Sequence, residues 1–120
     1  YFIFQAQSPQ AFNYQAVARD IDNAPYQNTS LGIQISLLRN NANGIADLVE
    51  RHEVNTSDLG VFNLKIGEGI PVIGDLTMID WAAHSYYLKV EMDPSGGNDY
   101  LDMGVSQRMH FFIQYDVLAH

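Results

Sequence analysis

The sequence predicts an all-β domain, a single sandwich of about seven antiparallel strands behind an extended apolar N-terminal arm. Three observations carry this. Alternation of apolar and polar residues with period two recurs along the chain, whereas apolar stripes of helical period do not. Turn signals return every ~10–15 residues, a spacing that suits short strands rather than helices. With 120 residues, 47 % of them hydrophobic and 12 % aromatic, the chain can close one core of its own. The arm is assigned to residues 1–8 and the sandwich to residues 9–120.

The elements follow in order. Tyr1-Phe2-Ile3-Phe4-Gln5-Ala6 is uncharged and apolar, and runs into the break Ser8-Pro9-Gln10. It suits the remnant of a secretory signal, with Ala6 at the cleavage point, an ordinary first strand of the domain's own sheet, or a donor strand that pairs with another subunit. Phe12 to Arg19 alternates as a strand, and Asp20-Ile21-Asp22-Asn23-Ala24-Pro25 is a turn. Leu31, Ile33, Ile35 and Leu37 form one face of the next strand, with Gly32, Gln34 and Ser36 on a side expected to be wet. Arg39 to Gly44 ends in Asn-Gly, which predicts a type I′ hairpin turn with positive φ at both residues. Its partner strand runs from Ile45 to Val54, and Asn55 to Gly60 turns the chain again. Phe62, Leu64 and Ile66 share one face of the strand that follows. Gly67-Glu68-Gly69-Ile70-Pro71 interrupts the pattern, and Val72 to Ile79 fits a loop, a short strand or one helical turn. Tyr86, Leu88, Val90 and Met92 alternate with Tyr87, Lys89 and Glu91; Asp93 to Asp99 is a loop, and Met109 to Tyr115 reads as a last strand.

Charge narrows the function. Fourteen acidic residues against six basic ones give a net charge of −8, which opposes binding to nucleic acid or to an anionic membrane surface. No run approaches the ~20 apolar residues of a membrane-spanning helix. Without cysteine there is no disulfide framework, no thiolate metal site and no cysteine nucleophile.

The stretch Pro9-Gln10-Ala11-Phe12-Asn13-Tyr14-Gln15-Ala16-Val17-Ala18-Arg19-Asp20 resembles the opening of an N-terminal β-sandwich module of secreted and cell-surface Bacteroidetes proteins. The similarity continues through Glu50 to Phe62, Ile66-Gly67-Glu68-Gly69, Ile79-Asp80-Trp81, Leu88-Lys89-Val90-Glu91 and Gly104-Val105-Ser106-Gln107, and so covers about residues 9–107. The resemblance implies an immunoglobulin-like or transthyretin-like sandwich on exported, non-catalytic proteins, and it brings no catalytic residues. Such modules usually end in a hydrophobic-Pro-Tyr-Ala segment that leads into further regions, whereas this chain reads Phe111 to His120 there. That departure is taken to favour self-assembly.

The motifs that would carry chemistry do not assemble. His52-Glu53 lacks the second histidine of His-Glu-x-x-His, since position 56 is Thr, and a structural or surface role is expected of it. In Gly67-Glu68-Gly69-Ile70-Pro71-Val72 the third glycine of a dinucleotide loop is replaced by Val72. Neither Gly-x-Ser-x-Gly nor Gly-Lys-Ser/Thr occurs. Asp93, Asn98, Asp99 and Asp102, with Ser95, are the candidate Ca²⁺ ligands, because oxygen donors in a Gly-rich loop suit that ion, although the spacing is not that of an EF-hand. Trp81, Tyr86 and Tyr87 are the candidate aromatic platform for a sugar ring.

The expectation is a non-enzymatic, secreted or cell-surface structural or adhesive subunit without an obligatory cofactor. Its expected partners are copies of itself, assembled into a filament through the arm residues Tyr1, Phe2, Ile3, Phe4 and Ala6. The alternative is a monomeric carbohydrate-binding or surface-adhesion module whose partners are glycans or other cell-surface proteins.

Overall fold

The computed structural model describes the backbone of residues 11–109 and the side chains of residues 11–101. Within that range the strands are β1 (Phe12–Val17), β2 (Ser30–Arg39), β3 (Ala46–Asn55), β4 (Val61–Ile66), β5 (Ile70–Ile73), β6 (Tyr86–Asp93) and β7 (Leu101–Met109). A 3₁₀ turn, Leu76–Met78, lies between β5 and β6. The arm residues Tyr1 to Ala6 and the expected last strand beyond Met109 lie outside the described residues.

Two antiparallel sheets face each other. One is the pair β1-β4; the other has the order β5-β3-β2-β6-β7. The alternation in the sequence dictates which faces meet. Phe12 from β1 and Phe62, Leu64 and Ile66 from β4 pack against Leu31, Ile33, Ile35 and Leu37 of β2, with Leu48, Val54, Leu88 and Met92 from its neighbours. In β4 the strict pattern gives a buried 62, 64 and 66 and an exposed 63 and 65, so its reading survives intact. The segment Val72 to Ile79 resolves into the end of β5 and the 3₁₀ turn, which Asp75 caps by accepting the Thr77 amide at 2.9 Å.

Two expectations are corrected. The second face of β2 is not wet: Gly32 and Ser36 are buried and Gln34 is half-buried. As the central strand, β2 is flanked on both sides by long side chains that close over it. Arg51 Nε donates to Gln34 Oε1 (3.1 Å), Gln34 Nε2 donates to Glu91 Oε1 (3.0 Å), and the Arg51 guanidinium lies 5.5 Å from the centre of the Tyr100 ring. Gly32 sits where a Cβ would run into the Gly97 carbonyl, so the β6–β7 loop lies directly on β2. The hairpin between β2 and β3 forms, but not as a two-residue type I′ turn. Positive φ falls on Asn40 (69°) rather than on Gly44, the loop closes through Arg39 N to Ile45 O (2.8 Å), and the Asn41 carboxamide accepts the Asn43 amide. Glycine is needed at 44 for another reason: the Arg39 carbonyl occupies the space of its Cβ.

One polar pair lies on the core side of β3. The register sets Glu50 opposite Ile35 and His52 opposite Ile33, so both point between the sheets. Glu50, only 3 % exposed, accepts His52 Nε2–H at 2.7 Å and the Gly67 amide at 2.8 Å, both on Oε1. His52 therefore has a structural role, and it bonds Glu50 rather than its sequence neighbour Glu53. The Gly67 amide, by donating to Glu50, ties the β4–β5 turn down onto β3.

Candidate functional site

At the hairpin end of the five-stranded sheet, the last residue of β2, the start of β3 and the start of β6 meet the 3₁₀ turn around a cleft of about 360 Å³. The β2–β6 register places Arg39 opposite Tyr86. A register shift in the β2–β3 pairing after Leu37 accompanies the approach of Arg39 to Asp47. The guanidinium forks onto that carboxylate, Nε to Oδ2 at 2.8 Å and Nη2 to Oδ1 at 2.6 Å, and the Tyr86 hydroxyl donates to Oδ2 at 2.7 Å. The opposite wall comes from the turn after the 3₁₀ segment. There Asp80 Oδ1 accepts the Ala82 and Ala83 amides (3.2 and 3.0 Å) and the Asp80 carbonyl accepts the His84 amide (3.2 Å).

The electrostatics follow from this geometry. Hydrogen bonding from Arg39 holds the Asp47 carboxyl below its ordinary range, helped by the Tyr86 hydroxyl and opposed by partial burial. Burial, then the hydrogen bond to Asp47, pushes the Tyr86 phenol up from the ordinary 10 to about 12. With the Arg39 side chain 38 % exposed, the ion pair acts mainly as a rigid orienting fork rather than as a source of stability. Asp47, held ionised and fully engaged, is not a proton donor.

The aromatic platform does not come together. Tyr86 is 1 % exposed, with its ring edge-on to Trp81 (centroids 5.3 Å, 69°) and to His84 (6.3 Å, 89°). Half-buried Trp81 also meets Phe12 edge-on at 6.4 Å, and its Nε1 is buried without a hydrogen-bond partner among the described residues. Successive residues of a strand point to opposite faces, so Tyr87 lies on the outer face, away from both. Tyr86 belongs to the core, and half-buried Trp81 packs against it.

The Asp93 loop also differs from a cation cage. Asp93 is 4 % exposed and directs both oxygens into its own turn: Oδ1 accepts the Ser95 amide and hydroxyl (2.9 and 2.6 Å), and Oδ2 accepts the Asp99 amide (2.8 Å). These bonds, the Ser95 hydroxyl foremost, hold its carboxyl low. Asn98 accepts the Tyr100 hydroxyl at 2.9 Å. Among the described residues no three His, Asp or Glu side chains converge on a metal position, and the side chain of Asp102 lies outside them. The loop satisfies itself.

Arg39, Asp47, Asp80 and His84 carry the cleft, and sequence reasoning did not single them out for it. The legible signal was slight: Arg39 and Asp47 flank one hairpin loop at either end.

No curated protein and no solved structure matches the chain. The family model described as Domain of unknown function (DUF8740) matches residues 13–105, and the chain belongs to that family.

Proposed function

We propose that the domain is a non-catalytic, exported structural or adhesive module that assembles with further copies of itself. One copy adds Tyr1 to Ala6 as a strand along β5 of the next. The observation that carries this reading is β5 itself. All four of its residues are exposed, Ile70 by 71 %, Val72 by 47 % and Ile73 by 49 %, and among the described residues the strand pairs with β3 alone. A row of free backbone groups flanked by apolar side chains is a template for another strand, and monomeric proteins usually guard such an edge with charge. Gly69 to Gly74 carries none, so in a chain of net charge −8 this edge is a place where a second copy meets little repulsion. The arm is equally uncharged and of matching length. Pro71 withholds one donor from the ladder, which restricts the registers an incoming strand can take.

Because arm and edge are different surfaces, the contact is heterologous, and it propagates into a filament when its rotation does not close. Export is supported by the resemblance of Phe12 to Asp20 to the secreted module. The full chain is expected to sediment as oligomers and to give fibres by negative-stain microscopy, while a chain lacking residues 1–7 and the Val72→Lys variant both stay monomeric. Fibres that persist unchanged in either, or a full chain that never assembles, would sink the reading.

A further inference from the structure

We infer that the cleft beside the Arg39–Asp47 pair binds a neutral saccharide through its hydroxyl groups. The inference rests on groups that the fold positions but does not use. Arg39 donates to Asp47 through Nε and Nη2, which leaves Nη1 for a ligand. Asp80 commits Oδ1 to the Ala82 and Ala83 amides, which leaves Oδ2 as an acceptor. His84 is held by its backbone amide and by its ring contact with Tyr86, so both imidazole nitrogens remain. One cleft thus offers a donor, a carboxylate acceptor and a group that can act as either. A sugar hydroxyl both donates and accepts, and adjacent hydroxyls need that mixture at fixed positions.

Rigidity matters because water competes for each of these bonds, and a preorganised site avoids the entropic cost of ordering side chains on binding. The double fork from Arg39 and the Tyr86 hydroxyl supply that order. Met78, 80 % exposed on the rim, offers apolar surface for the C–H face of a ring. The volume of about 360 Å³ lies in the range of small-molecule sites. Charge selects among ligands: Arg39 offsets Asp47, Asp80 is left unbalanced, and the whole chain is acidic, so an anionic ligand is repelled.

The test is a ¹⁵N-detected titration of the full-length Val72→Lys variant, which is expected to stay monomeric and whose substitution lies outside the cleft, with four probes: the methyl glycosides of glucose, mannose and galactose, and N-acetylglucosamine. At least one is expected to give saturable shifts at the Ala82, Ala83 and His84 amides and at Arg39 Nε–H, with a dissociation constant on the order of millimolar. Asp80→Asn keeps an oxygen for the Ala82 and Ala83 amides but loses the charge, and is expected to weaken that binding about tenfold. His84→Ala should weaken it as well, while Glu53→Gln, on the outer face, leaves it unchanged. Glucuronate should bind about tenfold more weakly than the neutral glucoside. The proposal is overturned if none of the four probes gives saturable shifts, if glucuronate binds as tightly, or if both cleft variants bind like the parent. The titration reads the cleft and not assembly, so this inference and the filament reading can fail separately.

Discussion

Tyr86→Ala is expected to lower the free energy of unfolding by about 3–5 kcal/mol, the range for removing a buried aromatic ring. A domain of this size has roughly 5–15 kcal/mol to lose. Tyr86 is 1 % exposed and sits between Trp81 and His84, so its removal opens a cavity between β6 and the turn that carries both neighbours. Tyr86→Phe separates ring from hydroxyl. It keeps the packing and loses one bond to a carboxylate that Arg39 still holds twice, so it should cost only about 1–2 kcal/mol. Urea midpoints at constant slope measure both.

The pH dependence has a definite sign. The folded phenol titrates near 12 rather than 10, so between those values the folded state holds a proton that the unfolded chain releases. The contribution of Tyr86 is therefore complete below pH 10 and is lost as the pH rises from 10 toward 12; Tyr86→Phe should remove that part of the alkaline decline. Asp47 behaves in the opposite sense. Its carboxyl is lowered from 3.8 in the fold, so its contribution is present above that value and fades on acidification. A Tyr86→Phe variant with the alkaline profile of the parent would contradict the assigned cause.

How much could be read from the residues depends on the range of the interaction that decides each feature. Phe62, Leu64 and Ile66 alternate against exposed Asn63 and Lys65, and a two-residue period with one buried face suffices to place them. For β2 the same reasoning placed the core side and failed on the other. Whether Gly32 and Ser36 are wet depends on β2 being central and on the β6–β7 loop lying over it, and neither fact is local. The Asn-Gly signal marked the hairpin correctly but not its geometry, because Asn40 took the left-handed position and the loop closed around Arg39 and Ile45. The cleft was the least legible part. Tyr86 reaches Asp47 from 39 positions away, and Asp80 and His84 arrive through a turn whose course the sequence left open. A single aromatic in a strand likewise does not reveal whether it serves as a platform or as core. The sheet register settles that, and it sends Tyr86 inward and Tyr87 outward.

Glu50→Ala is the other substitution with a large expected effect, and no sequence motif signals it. A carboxylate on the core side of a strand, 3 % exposed, looks like a liability because desolvating a charge is costly unless it is well bonded. Here Oε1 takes two donors, the Gly67 amide and His52 Nε2–H. Gly69 lies so close above them that a Cβ there would come within 2.5 Å of His52 Nε2, so the turn has no slack with which to find other partners. Removing the carboxylate orphans both donors at roughly 1–3 kcal/mol each and leaves a void, so the expected loss is about 3 kcal/mol or more. Glu50→Gln retains an acceptor oxygen in the same place without the charge, and should cost about 1 kcal/mol. The two variants also differ locally. In Glu50→Ala the Gly67 amide should lose hydrogen-exchange protection ahead of global unfolding, since the turn is then held only by its strand ends, whereas in Glu50→Gln it should stay protected. A Gly67 amide as slow to exchange in Glu50→Ala as in the parent would mean that the β4–β5 turn is fixed by its packing and not by this bond. β5, which leaves that turn directly, would then owe its position to β3 alone.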